Sequence, residues 1–238
     1  TQSPSSAASD VYKRQVIKNA YSNFPRGSIH IVDIDSEQTP DQSHIVIEMD
    51  EHFFICADNG IISLISSTIK PSKIFRINIG LHSANTINNF VKVAAHLQRG
   101  GQLNVIGTEI FEIKELTELK PIIKSNNELI CNVIYIDNYG NVITNITKDF
   151  FEKFQANRSF VINARNIKFK QIFSSYSESI NFNKEKKYRE EDGKKVALFN
   201  SSDFLELSIY KSNPKTSGGA SSLFGLGYGD VISILFND

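Results

Sequence analysis

The chain has 238 residues, 40% of them hydrophobic and 22% charged, and Lys+Arg and Asp+Glu are both 26, for a formal net charge of zero. Such a composition builds a core and excludes disorder, while the even balance argues against nucleic acid as the main partner and leaves room only for a local basic patch. No apolar run reaches the roughly 20 residues that cross a bilayer, so no membrane partner is expected, and with no legible secretory leader the expected location is cytoplasmic.

In chain order, TQSPSSAASDVYKRQ (Thr1 to about Gln15) has no apolar periodicity and reads as a non-native, adapter-derived segment outside the fold. VIKNAYSNFP places Val16, Ile17, Ala20, Tyr21 and Phe24 on one helical face, and Pro25 stops it. SIHIVD is a strand, and HIVIEMDEHFFICADNG reads as two strands joined at Met49–Asp50–Glu51 and ended by the turn Asp58-Asn59-Gly60. IISLI continues as a short helix or strand, and KIFRINI is a further strand. TINNFVKVAAHLQRGG is the best helix, with Phe90, Val93, Ala94 and Leu97 on one face and Gly100-Gly101 as its stop. This order predicts an α/β N-terminal domain over 16–120.

Beyond Lys120-Pro121 the pattern changes to short strands separated by turn residues: LICNVIYI, NVITNI, SFVINA, KFKQIF, KVALFN, FLELSIY and DVISILF, with one helical stretch near Thr147 to Phe154. That predicts an all-β C-terminal barrel domain over 121–238. The charge run Asn181 to Lys195 reads as a solvated loop. Cys56 and Cys131 lie in apolar runs without metal spacing and are expected as buried free thiols rather than a disulfide. A ligand cleft is expected where two domains meet.

One stretch resists a purely structural account. YIDNYGNVITNI interrupts a β pattern with Asp137, Asn138, Tyr139, Gly140 and Asn141. A hairpin turn explains Gly140 but leaves Asp137 and Asn141, with Thr144 and Asn145 behind them, without a stated purpose. An acid and carboxamides around an aromatic ring also suit an amino acid or nucleoside, the acid meeting an ammonium and the ring a base or cation. Both readings stand on the residues alone.

IDNYGNVITNI resembles the Asp–Phe-Gly-Asn–Thr-Asn signature of the S-adenosylmethionine hydroxide adenosyltransferases, a family that includes fluorinating and chlorinating enzymes. Four further segments are similar in order: His52 to Ile65, Asn88 to Gly100, Phe199 to Tyr210 and Gly218 to Ile232. The resemblance implies an α/β domain and a β-barrel packed as a homotrimer with the ligand between neighbouring subunits. It implies attack of hydroxide, rather than halide, on the ribose C5′ of S-adenosylmethionine, giving adenosine and methionine with no metal or other cofactor. It assigns Asp137 and Ser201 to the methionine end, and Tyr139 and Asn141 to the adenine or sulfonium side. Asp58, Asn59, Glu206, Ala220 and Ser221 lie in segments that complete the substrate pocket. Against this, Glu206 also reads as a surface strand residue and Ser201 as the cap of the turn NSSD.

The resemblance also marks departures. An early Asp-Phe-Gly strand and a later ribose-gripping Asp of the family are absent, which reads as an incomplete N-terminal domain. The acid of the family's nucleophile loop aligns with Asp33, but Ile34, Asp35, Ser36 and Glu37 replace its Pro-Gly-Val-Gly, and no Arg occurs between Asp33 and Lys70. The family's His falls at Asn85, with His82 three residues earlier. An acid alone repels hydroxide. The sequence therefore predicts a different water-activating set drawn from Asp35, Glu37 or His82, or slow turnover, or a protein that binds adenosyl compounds without cleaving them.

Overall fold

The computed structural model describes residues 17, 20–66, 69–78, 86–116, 119–189, 191 and 193–237. The chain divides into two compact units, one within Lys13–Glu118 and one over Leu119–Asp238. Most of the ordered structure is strand.

The first unit carries a five-stranded sheet in the order β1-β3-β2-β4-β5, built from β1 (Ile29–Val32), β2 (His44–Met49), β3 (His52–Ala57), β4 (Lys73–Ile77) and β5 (Gly107–Glu109). Only β1 and β3 run parallel; the other pairs are antiparallel. β2 and β3 form a hairpin whose central residues, Asp50 and Glu51, both have positive φ (51° and 61°), the conformation a two-residue turn needs to match strand twist. The middle strands are apolar on both sides because both faces are covered. On one face, α2 (Thr86–Gln98) sets Phe90 and Val93 against Val46, Ile55, Phe75 and Ile77. On the other, α1 (Ile61–Ser66) and Tyr21 pack with Ile45, Ile47, Phe54 and Cys56. The stretch IISLI is thus a helix. A short α3 (Leu103–Ile106) leads into β5.

The second unit wraps a sheet in the order β10-β9-β13-β7-β8-β12-β11 into a nearly closed barrel. Its strands are β7 (Glu128–Ile136), β8 (Val142–Thr147), β9 (Ser159–Ala164), β10 (Ile167–Phe169), β11 (Lys195–Phe199), β12 (Phe204–Ile209) and β13 (Val231–Asn237), with β6 (Ile122–Ser125) as an extra strand beside β7. Period-2 alternation decides what faces inward: Leu129, Cys131 and Val133 of β7 and Ile232, Ile234 and Phe236 of β13 all enter one core. Between β8 and β9, α4 (Lys148–Gln155) starts at Thr147, whose hydroxyl accepts from Phe150 N, and inserts Phe151 among Phe160, Phe199 and Phe236. A last helix, α5 (Ala220–Phe224), precedes β13. KFKQIF is strand only to Phe169; the rest of it touches β11 through one bridge, Phe173 to Leu198. Both cysteines are free and buried in their separate units. Burial pushes both thiols up, Cys131 to about 12. No described helix is long and apolar enough to cross a membrane.

Candidate functional site

In the first unit the candidate residues cluster at the carboxyl ends of the parallel pair β1 and β3. That is where open α/β sheets hold ligands, because loops leaving adjacent parallel strands emerge side by side. Asp33, just past β1, is exposed and accepts a hydrogen bond from the Ser36 hydroxyl. Asn59, just past β3, donates to Ile34 O at 2.8 Å and accepts from Ile61 N at 3.2 Å, so one carboxamide ties the Asp33 loop to the start of α1. Gln42 reaches the same loop from the far side, donating to Asp35 O and Glu37 O. Buried His44 bonds Ser36 O at 2.9 Å while its ring packs edge-on against Phe90. Asp35 and Glu37 are exposed on this loop. Asp58 is buried and turned into the protein, accepting from Lys114 N at 2.8 Å. Asp33 and Asn59 are therefore brought together, while Asp58 serves the scaffold. Asn85 and His82 lie outside the described residues.

In the second unit the polar insert is the β7–β8 turn, and the turn accounts for the residues that seemed surplus to it. The Asp137 carboxylate accepts from Tyr139 N (2.8 Å), Asn141 N (2.8 Å) and Asn141 Nδ2 (3.0 Å). Thr144 donates to Leu205 O, where the β8–β12 register slips, and Asn145 accepts from Asn132 N and donates to Leu119 O, so these side chains pair backbone groups of neighbouring segments. The hairpin reading thus explains Asp137, Asn141, Thr144 and Asn145 together. Tyr139 has no such role and stands 69% exposed at the tip.

The turn is pressed onto the start of α5. Ser221 N donates to Gly140 O at 2.8 Å, so that amide is already spent inside the protein, and Ala220 is fully buried. Gly140 has φ of +75°, and a Cβ there would lie 2.8 Å from Gly219 Cα. Two glycines are required for this approach.

Glu206 is the buried centre of the same unit, 4% exposed, which removes its reading as a surface strand residue. Tyr176 and Ser208 donate their hydroxyls to Oε1, and Asn200 Nδ2 donates to Oε2 at 3.3 Å. Burial, and then the hydrogen bond to Glu206, hold the Tyr176 phenol well above its ordinary range, with a smaller push from Asp137. Ser201 is exposed at the tip of the β11–β12 hairpin; the cap of that turn is Asn200, whose Oδ1 accepts from Ser202 N and Phe204 N. Among the described residues no cationic side chain pairs with Asp137 or Glu206, and no group of three or more His, Cys, Asp and Glu is placed to hold a metal. Sequence reasoning missed Tyr176, Asn200 and His44. Asn200, two residues before Ser202, carries an Asx-turn signal; nothing in the sequence links Tyr176 to a glutamate 30 residues on.

Two family models match. The SAM hydroxide adenosyltransferase N-terminal domain matches residues 10–107 and the C-terminal domain of the same family matches 131–233. The chain belongs to the SAM hydroxide adenosyltransferase family. A relative from Methanocaldococcus jannaschii, an (R)-S-adenosyl-L-methionine hydrolase, is 27% identical over 234 residues, spanning 93% of this chain and 76% of the relative. Among solved structures, an uncharacterized conserved protein from Thermotoga maritima superposes with a TM-score of 0.73 at 21% identity, over 98% of this chain and 86% of that one. A conserved hypothetical protein from Thermus thermophilus gives 0.64 at 16% identity, over 99% and 84%. These two likenesses concern the fold.

Proposed function

We propose that this family member hydrolyses S-adenosyl-L-methionine to adenosine and L-methionine. Water, losing a proton, forms a bond from its oxygen to ribose C5′. The C5′–sulfur bond breaks, and its electron pair stays on sulfur, so the cationic sulfonium leaves as the neutral thioether of methionine. Both changes occur on carbon and sulfur, and the reading assigns no metal or redox cofactor to them.

The observation that carries the reading is the pair of carboxylates in the second unit, Asp137 and Glu206, held by neutral donors and matched by no cation among the described residues. Carboxylates withdrawn from water without a paired cation favour a cationic ligand, and this substrate brings an ammonium and a sulfonium. A carboxylate offers about four lone-pair sites. Three on Asp137 are filled by its own turn, which leaves one for the methionine ammonium. Tyr139, exposed beside it, offers a ring face to the sulfonium or the base, and Asn141 offers its remaining carbonyl lone pairs. Asp33, fixed by Ser36 and the Asn59 tether, takes the position of the nucleophile-loop acid; its role is to orient water, since alone it disfavours hydroxide. In this reading Ser201 contacts the substrate carboxylate and the working form is a homotrimer located in the cytoplasm.

The test is chromatography of the full chain incubated with S-adenosyl-L-methionine in water enriched in oxygen-18. Adenosine and methionine accumulate one to one, and the label enters the adenosine 5′ oxygen. Calorimetric binding of the substrate with no release of adenosine at high enzyme would replace hydrolysis by non-catalytic binding. Absence of binding would remove both.

A further inference from the structure

The barrel wall is unzipped at one place. β10 and β11 are the two ends of the strand order and do not pair with each other; the segment after β10 touches β11 at the Phe173–Leu198 bridge, where Phe173 N donates to Ala197 O at 2.8 Å. Beside that bridge opens a cavity of about 610 Å³, within the size range of small-molecule sites. Lys168 and Lys170 border it from the β10 side and Lys194 and Lys195 from the β11 side, over Phe169 and Phe173. Among the described residues the lining contains four cations and no acid. None of the four forms an ion pair among the described residues; Lys195 Nζ lies over the Phe169 ring, 5.6 Å from its centroid. Among the described residues, the acid near the β11 side is Glu191, which is occupied by Arg189 and Lys211.

Lysine on an edge strand is an ordinary guard against strand-to-strand association. That accounts for Lys168 and Lys195, which lie in β10 and β11. It does not account for Lys170 and Lys194, which lie outside the strands, nor for the concavity the four share. Like charges gathered around one hollow raise its potential and favour an anion that bridges them. Lysine binds phosphate as a point charge, without the fixed fork geometry by which arginine recognises carboxylates. The chain is neutral overall, so this potential is local and is not a general attraction for polyanions.

We infer that the open β10–β11 seam binds a polyphosphate chain, the four lysines taking the phosphate oxygens above an apolar floor of Phe169 and Phe173. The site involves none of the residues assigned to S-adenosylmethionine and stands whether or not that assignment holds.

Calorimetry of the full chain with sodium tripolyphosphate, and separately with ATP, tests it at low ionic strength and at about 0.15 M. Tripolyphosphate binds one to one, more weakly at the higher salt but still measurably. Lys170→Glu weakens it about tenfold or more, one tenfold step being about 1.4 kcal/mol. Lys92→Glu, an equal charge change on exposed α2 of the other unit, leaves it unchanged. Excess S-adenosylmethionine does not displace it. Circular dichroism confirms that each variant is folded, and Lys194→Glu replaces Lys170→Glu should that variant misfold. Equal affinity for both probes means that the phosphate chain is what the seam reads; tighter ATP binding identifies a nucleotide whose base uses the phenylalanine floor. Loss of binding at about 0.15 M, an equal effect of Lys92→Glu, displacement by S-adenosylmethionine, or ATP binding without tripolyphosphate binding each overturns the inference.

Discussion

Replacing Gly140 by alanine tests whether the β7–β8 turn and the start of α5 form one rigid piece. The added methyl meets two separate penalties. Gly140 has φ of +75°, and an L-residue in the left-handed region costs about 1–2 kcal/mol. The new Cβ would also sit 2.8 Å from Gly219 Cα, a backbone atom that cannot swing away; forced overpacking of this kind costs about 1–3 kcal/mol. The sum is roughly 2–5 kcal/mol. Gly229→Ala supplies the reference, because Gly229 has φ of +78° and nothing within 4 Å of the added atom; it should show only the first penalty. At roughly 4 °C per kcal/mol for a unit of this size, Gly140→Ala should melt about 4–12 °C below Gly229→Ala. Thermal unfolding followed by circular dichroism reads the difference, and calorimetry with S-adenosylmethionine reads whether the displaced Asp137 and Tyr139 still bind. Equal melting temperatures for the two variants would refute the close approach, and with it the view that α5 fixes the turn.

Two further expectations concern titratable groups. Glu206→Gln places an amide NH₂ where hydroxyl and amide donors converge; removal of a buried acceptor predicts a loss of about 1–3 kcal/mol in urea unfolding. A weaker Kd for S-adenosylmethionine should accompany it, whereas a variant as stable and as tightly binding as the parent would contradict the role given to this carboxylate. The second concerns His30, whose Nε2 lies 3.1 Å from His52 Nδ1, with Tyr21 packed edge-on against both rings and hydrogen-bonded to Asp50. Burial first, and then His52, lower the His30 pKa below its ordinary 6.5. Below about 6.5 the unfolded state therefore binds the proton more readily than the folded one. Stability should fall as pH drops from neutral through that value, and His30→Gln should flatten the fall; an unchanged urea midpoint in the parent between neutral and acid pH would count against it.

The element pattern was legible because it depends on local spacing. Short apolar runs bounded by turn residues predicted the strands from His44 to Ala57 and those of the barrel, and a 3.6-residue period with a Gly-Gly stop predicted α2. Five ordered segments carried the family resemblance, and at Gly140 and Gly219 the close approach of two backbones leaves room for little but glycine. The sequence by itself thus determined strand and helix content, the change of composition near Lys120 and the family. Tertiary structure alone decided what the polar residues do, because a hydrogen-bond partner is a neighbour in space. Asp137 and Asn141 satisfy each other within one turn, Asp58 is consumed by a backbone amide 56 residues away, and Glu206 is buried under Tyr176 from a loop with no periodic signal. The lysine-lined seam has the same origin: KFK and GKK are separated in the chain and become one charged hollow only because the two end strands of the barrel sheet, β10 and β11, do not pair.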